Sequence, residues 1–354
     1  MKKILLGEIS SYKAIVIARY LKYIYSGIDI IAYDYKNIIQ CCHTKYCDDY
    51  LCVPDAYLYK DEHINFIKDI LRNQYIDIFI PVHSHMYAEY IKNKAHFGKA
   101  FDYVGEYEKF NMLNDKKNLN ELLAKLDIKR PKTYDLYEAA KVPFIMKPTN
   151  LSSAKGVKYV LNENDRSRYQ YQYNNDLIIQ EYISGVGCGY SVFAKNGEIK
   201  VGFGHKRLAE YPVAGGSSVY RETHFDHRTR DLAQKILRAT QWTGFAMFEF
   251  KLTDENEIYV IEVNPRIWGS INQGLQNGYN YFEPILGKSE FRADQKIQYK
   301  TYLSPLIYLS FLNYLLRLNT RPVTGFLKNI RVNRADVSFL DDYKGFISLI
   351  ARKI

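Results

Sequence analysis

The chain has 354 residues, a formal net charge of +10 and 47% hydrophobic residues, which suits two or three domains around a substantial core. No apolar run reaches the roughly 18 residues of a membrane span, and the opening KKILLGEISS breaks at Gly7-Glu8 before a signal-peptide core can form, so a cytoplasmic protein is expected. The basic excess concentrates after Phe291, where eleven Lys and Arg face four Asp. No RNA-recognition, helix-turn-helix or zinc-finger pattern accompanies it, so nucleic acid is not the expected partner.

Residues 1 to about 100 alternate strands and helices. KKILL and DIIAYD read as strands flanking a helix over Tyr12–Tyr25, and a helix near Asp61–Asn73 precedes the strand DIFIPV. That order implies a parallel sheet. Its first turn, Gly7 to Ser11, has one glycine where a dinucleotide fingerprint needs three. Cys41, Cys42, Cys47 and Cys52 cluster beside His43, but CC-H-x3-C-x4-C lacks the paired C-x2-C element of structural zinc sites. Reduced structural thiols, with Cys188 the fifth, are the default reading. His83 and His85 follow DIFIPV, at the strand end where open sheets bind ligands, but lone imidazoles there more often serve structure.

Asn111 to Asp127 reads as one helix, with Lys116 and Lys117 in a first turn whose dipole disfavours cations. A nearby anion would explain them, with a solvated pair the competing reading for Lys117. Strands over Phe144–Lys147 and Val157–Leu161 flank a loop of small and hydroxyl residues, in which Ser152, Ser153 and Gly156 can wrap a phosphate neutralised by Lys147. A plain surface loop reads equally well. Leu177 to Ile183 is a strand. His205, Lys206 and Arg207 lie near Gly215, Gly216, Ser217 and Ser218, which suits an anionic substrate held under a loop or, equally, an exposed basic loop. A helix over Asp231–Gln241 leads on.

GFAMFEFKL and EIYVIEVN then form a hairpin. A two-residue turn at Glu255-Asn256 sets Lys251 opposite Val260, Glu249 opposite Glu262, and Met247 opposite Asn264. Opposed carboxylates destabilise a sheet unless a cation lies between them. Two Glu and one Asn suit Mg²⁺, and Arg266 adds a fixed charge for a phosphoryl oxygen. A one-residue slip would part the two glutamates, and an ordinary amphipathic hairpin is the competing reading. Tyr302 to Leu318 is apolar nearly all round. Packing on the body is expected for it, with peripheral membrane contact the alternative.

In this order the features resemble the ATP-grasp superfamily: the Lys116 helix, the Lys147 strand with Ser152-Ser153-Ala154-Lys155-Gly156, the hinge Gln180-Glu181-Tyr182-Ile183, and the hairpin ending Glu262-Val263-Asn264-Pro265-Arg266. EYPVAGGSS and EVNPRIWGS resemble a bacterial branch of predicted ATP-dependent carboxylate–amine ligases associated with surface-glycan pathways. The resemblance implies an α/β ATP-grasp fold of two α+β subdomains gripping ATP, after a parallel-sheet, Rossmann-like pre-ATP-grasp domain. The implied divisions are residues 1–105 for that first domain, 106–183 for a small nucleotide-lid subdomain, 184–290 for the catalytic subdomain, and 291–354 for a basic, partly apolar helical tail.

It also implies roles. Lys116, Lys147 and the loop carrying Ser152, Ser153, Lys155 and Gly156 would hold ATP phosphates, and Gln180, Glu181, Tyr182 and Ile183 the adenine. Glu249, Glu262 and Asn264 would hold Mg²⁺, or Mn²⁺ in its place. Arg266, Lys206 and Arg207 would be catalytic, while His205, Gly215, Gly216, Ser217, Ser218 and Trp268 would face a small carboxylate and an amine, at least one of them anionic. The reaction implied is ligation through an acylphosphate, with a phosphotransferase or a non-catalytic, nucleotide-binding, membrane-associated module as alternatives. One departure stands out. The acidic residue that the family often places after the hinge for the ribose is missing from Gly185-Val186-Gly187-Cys188-Gly189.

Overall fold

A computed structural model describes residues 2–35, 43–82, 84–135, 137, 140–149, 156–172, 174, 176–213, 216–289 and 298–351. The chain opens with the expected parallel sheet, ordered β3-β2-β1-β4: β1 (Lys2–Leu6), β2 (Ile28–Tyr35), β3 (Asp49–Val53) and β4 (Ile78–Ile80). Every pairing in it is parallel, and helices Tyr12–Ile24 and Lys60–Asn73 make the crossovers. β3 escapes the sequence pattern because DYLCV is half polar and only Val53 is buried.

A small antiparallel sheet follows, ordered β5-β8-β6-β7: β5 (Thr133–Tyr134), β6 (Phe144–Pro148), β7 (Lys158–Val160) and β8 (Leu177–Glu181). It closes on its own core of Tyr137, Phe144, Met146, Val160 and Ile179. The largest sheet has seven strands in the order β13-β12-β9-β10-β11-β14-β15: β9 (Val186–Lys195), β10 (Glu198–Tyr211), β11 (Ser217–Thr223), β12 (Gly244–Leu252), β13 (Ile258–Asn264), β14 (Lys300–Tyr302) and β15 (Asn333–Ala335). One core joins Leu5, Ile31 and Phe79 of the parallel sheet to Val192, Phe248 and Val260. A second joins Ile4, Ile30 and Ile80 to Phe193, Phe245 and Trp268. The parallel sheet is therefore packed against the seven-stranded sheet through apolar side chains.

Three expectations change. The helix drawn over 111–127 is two, Tyr107–Asn114 and Lys116–Lys125, broken at Asp115. Asp115 leaves helical geometry (ψ 127°) and its carboxylate accepts the Lys117 and Asn118 N–H groups at 2.9 and 3.0 Å, satisfying first-turn donors that an unbroken helix would have bonded itself. Leu119 and Leu123 then join the core shared with Phe248 and Val260, apart from the small sheet's core. The C-terminal stretch contributes β14 and β15 to the seven-stranded sheet besides its helices, so it is more than a helical tail. Finally, Lys206 and Arg207 lie within β10 rather than in a loop. Among the described residues no helix is long and apolar enough to cross a membrane.

Candidate active site

The hairpin of β12 and β13 brings the acidic residues together. Glu249 pairs with Glu262 and Met247 with Asn264, as the pattern implies, but Lys251 pairs with Tyr259 and Phe250 with Val260. The turn spans residues 253–257, with Asn256 at φ 62°. A bulge between Phe250 and Glu249 absorbs the offset, so the two carboxylates still share a face. Asn264 Nδ2 donates to Glu262 Oε1 at 2.9 Å and to Glu249 Oε1 at 3.4 Å. Its Oδ1 accepts from Arg266 Nη2 at 2.6 Å.

Cations ring this pair. Arg207 Nη2 reaches Glu249 Oε2 at 2.5 Å, and its Nη1 reaches Glu210 Oε1 at 3.2 Å and the Gly216 carbonyl at 3.3 Å. Lys116 Nζ lies 3.8 Å from Glu262 Oε2, and its backbone N–H donates to the Thr149 carbonyl at 3.0 Å, tying the helix start to the end of β6. Lys147 Nζ donates to the Ile261 carbonyl at 3.4 Å. The anion suggested by the basic first turn of the 116–125 helix is thus twofold, the Asp115 cap and Glu262.

The electrostatics are uneven. Burial lifts the Glu249 carboxyl above its usual range and Glu262 lifts it further, against the pull of Arg207. Glu262 meets the same burial, but Lys116, Lys147, the Asn264 hydrogen bond and Arg266 outweigh it and hold it below that range. Burial pulls Lys147 down to about 8, with Lys116 adding to the shift and Glu262 resisting it. Burial also lowers Arg207, yet Glu249 and Glu210 more than reverse this. His205 is pushed down to about 3 by burial and by Arg207, Arg221 and His224, so it is neutral at physiological pH. Its Nε2 lies 3.1 Å from Ser270 Oγ.

These side chains surround one cavity of about 500 Å³. Lys116, Lys147, Gln180, Glu181, Tyr182, Ile183, His205, Arg207, Gly216, Ser217, Ser218, Glu249, Glu262, Asn264, Arg266 and Trp268 all line it. The small sheet, the seven-stranded sheet and the helix start at Lys116 therefore converge on residues that the sequence singled out. Gly189 makes the convergence feasible. It pairs with both His205 and Glu249 across β9, and a Cβ there would lie 2.4 Å from His205 Cε1.

Lys206 is not brought in. On β10 it faces away from Arg207 and pairs with Glu222 at 3.0 Å, because alternate strand residues take opposite faces. Gly156 does not line the cavity, standing with φ +75° against the Pro148 ring. Ser152, Ser153, Lys155, Gly215, His83, Cys41 and Cys42 fall outside the described residues. His85 bonds Tyr35 and stacks on Tyr57 at 4.0 Å, away from the cavity. Sequence reading missed Glu210. In a regular strand it would oppose Arg207, but register shifts between Arg207, Ala209 and Glu210 bring it to the same face. The signal available was only an Arg and a Glu three apart.

The donor set fits a divalent cation together with an anionic ligand. Among the described residues no three of His, Cys, Asp and Glu are grouped to hold a metal alone, whereas Mg²⁺ commonly takes one or two carboxylates and completes its shell with water and phosphate oxygens. The Asn264 amide nitrogen sits between the carboxylates, in a cation's place. Exchanging its two amide atoms would turn the oxygen toward an ion and give up the contact with Arg266. Gln180 Oε1 and Ser218 Oγ are buried on the cavity wall with no hydrogen-bond partner among the described residues, as expected where a ligand supplies the partner.

Comparison with known proteins gives the same direction. Residues 113–270 match the ATP-grasp domain family. D-alanine–D-alanine ligase from Rickettsia peacockii (strain Rustic) is 27% identical over 139 residues, covering 35% of this chain and 43% of that protein. The chain therefore matches less than half the length of that relative. Among solved structures, the biotin carboxylase domain of Hydrogenobacter thermophilus 2-oxoglutarate carboxylase, in complex with MgADP, ADP and bicarbonate, superposes with a TM-score of 0.65 at 15% identity, over 84% of this chain and 72% of that one. An L-amino acid ligase from Bacillus licheniformis superposes with a TM-score of 0.60 at 14% identity, over 81% and 73%. At such identities the likeness is one of fold.

Proposed function

Starting from a chain that carries an ATP-grasp domain, we propose that it joins a small carboxylate to an amine at the expense of ATP. The observation that carries this reading is one cavity in which two opposed carboxylates with Asn264 face Lys116, Lys147, Arg207 and Arg266. An apolar fold does not gather so many buried charges without something to neutralise.

Lys116 and Lys147 would hold the ATP phosphates, and Glu249, Glu262 and Asn264 would hold Mg²⁺, which supplies charge neutralisation on the phosphates. The adenine would lie along β8. Glu181 N–H is taken by the Lys132 carbonyl at 2.8 Å, which leaves the Glu181 carbonyl and Ile183 N–H for the purine edge. Residues 1–105 serve as the pre-ATP-grasp domain in this reading, and the small sheet as the nucleotide lid.

In the reaction, a carboxylate oxygen of the substrate attacks the γ-phosphorus and ADP leaves. The acylphosphate so formed is attacked at carbon by the amine, which loses a proton as phosphate departs. The chain contributes position and fixed charge. Arg266, 7% exposed and bonded to the Ile267 carbonyl, stands beside the pair and would steady the transferred phosphoryl group. Arg207, within reach of the Gly216 carbonyl and the neighbouring Ser217 and Ser218, would take the substrate carboxylate.

The test is ADP release from ATP and Mg²⁺ with pooled carboxylic acids, with and without pooled amines. Turnover that needs both pools supports the ligase. Turnover with acids alone, and no hydroxamate on adding hydroxylamine, makes the protein a phosphotransferase. No turnover, with no rise in melting temperature on adding ATP, removes the nucleotide site.

A further inference from the structure

The helix Leu306–Leu316 has two apolar faces and only one of them is packed. Ile307 and Ser310 are buried, and Ser310 Oγ donates to the Glu210 carbonyl at 2.7 Å. Tyr314 on the same side accepts the Glu210 N–H at 3.4 Å and lines the cavity. Phe326, from the helix Arg321–Lys328, packs on Tyr220, Tyr302 and Phe311. This face accounts for the docking of the helix pair onto β10, β11 and β14.

The other face meets solvent. Tyr308, Leu309, Leu312, Leu315 and Leu316 are 44 to 74% exposed, Leu318 is 92% exposed, and Leu327 and Ile330 are also open. At helical spacing Tyr308, Leu312 and Leu315 make one stripe with Leu309 and Leu316 beside it. Scattered exposed leucines are ordinary, but a contiguous apolar patch marks a contact surface. Charge names the partner. From Leu303 to Ala335 the chain has Arg317, Arg321, Lys328, Arg331 and Arg334 and no Asp or Glu. The first four are exposed, and none makes an ion pair among the described residues. A second copy meeting this patch about a twofold axis would set these cations against their own kind. A bilayer with acidic headgroups accepts the leucines and the cations together.

We propose that this helical pair is an interfacial anchor that docks the protein on anionic membrane, with Leu309, Leu312 and Leu316 entering the acyl boundary and Arg317, Arg321, Lys328 and Arg331 on the headgroups. Tyr314 and Ser310 tie the anchor to β10, so the cavity rides next to the bilayer. The proposal is independent of the ligase reading.

Cosedimentation of the full chain with vesicles of phosphatidylcholine, alone or mixed with phosphatidylglycerol, tests it. Binding at least about tenfold tighter to the mixed vesicles, weakening as salt rises, is expected from the local positive charge. Leu312→Glu with Leu316→Glu should abolish it while circular dichroism and melting temperature stay put, since both side chains are already in water. Arg317→Glu with Arg321→Glu should weaken binding and flatten the salt dependence. Equal affinity for the two vesicles, no binding to either, or undiminished binding by the leucine variant each overturns the proposal. So does a concentration-dependent dimer that the leucine variant breaks, which would give the stripe to a second copy.

Discussion

Two regions of this molecule hold inward-facing carboxylates in opposite ways. In the parallel sheet, Asp34 accepts the Ser10 N–H at 2.8 Å and the Tyr35 N–H at 2.9 Å, and Glu8 accepts the Val82 N–H at 2.9 Å. Those donors belong to the backbone and cannot be exchanged. On the β12–β13 hairpin, the hydrogen-bond and ion-pair partners of Glu249 and Glu262 are the side chains Arg207, Asn264 and Lys116. Side chains turn away when an ion or a phosphate offers more. The first pair therefore closes a loop onto its sheet, and the second is built to trade partners. Burial alone does not separate a structural carboxylate from a working one. Between these two regions the kind of donor does, although Asp336, buried against the Arg221 and Asn272 side chains away from the cavity, shows that side-chain donors alone do not make a working site.

Two substitutions test that distinction. Glu262→Gln keeps a hydrogen-bonding group for Asn264 and removes the charge, so turnover should fall roughly 100- to 1000-fold, the range for losing one fixed electrostatic group. The melting temperature should move by no more than about 3 °C, because relieving an opposed like-charge pair offsets the lost contacts. Near-normal turnover would end the metal role of the hairpin. Asp34→Ala should behave in reverse. Leaving buried N–H groups unpaired costs about 1–3 kcal/mol, read by urea unfolding, while turnover per folded molecule stays the same. A matching loss of turnover would put the parallel-sheet crevice in the active site.

The part of this contrast that was legible from sequence is the part set by periodicity. Period-two alternation put Glu249, Glu262 and Asn264 on one face, and apolar runs gave β1, β2 and β4. Bulges were illegible, since an extra residue in one strand leaves no compositional trace. One of them shifted Lys251 from Val260 to Tyr259, and another swung Glu210 round to Arg207. Reading residues 205–207 as one basic cluster failed for a simpler reason. The segment is a strand, and neighbours in a strand point apart. The break at Asp115 was written in the sequence as a capping residue ahead of Lys116, and the leucines after it masked the signal.

A smaller effect follows from Lys147, which reaches from β6 of the small sheet to the hairpin with its pKa lowered to about 8. Below that pH the lysine is charged in both folded and unfolded chains, and the full burial penalty stands. Between about 8 and the ordinary lysine value the unfolded chain holds the extra proton, so this group makes stability rise with pH. Phosphate binding runs the other way, because a neutral amine attracts phosphate less. ATP affinity, measured by calorimetry, should weaken by up to about tenfold between roughly pH 7 and 9, the limit for loss of one titrating contact. Lys147→Arg should flatten that slope. An unchanged slope in the variant would assign the titration to another group.

The smallest expected effect sharpens the contrast within a single strand. Lys206 and Arg207 are neighbours on β10 with the same sign of charge, and only Arg207 faces the half-buried carboxylates of Glu210 and Glu249. Lys206 shares Glu222 with Lys300, whose Nζ lies 2.7 Å from the other carboxylate oxygen. Removing Lys206 leaves that carboxylate partnered, so Lys206→Ala should change stability by less than about 1 kcal/mol, as for a half-exposed ion pair, and turnover by less than about twofold. Arg207→Met leaves Glu210 and Glu249 facing Glu262 with one cation fewer, and neutralising them by protonation would spoil the site for an ion. Equal losses of turnover from the two substitutions would mean that long-range positive charge on β10 matters rather than contact, and the division of this strand into a working and a structural face would fall.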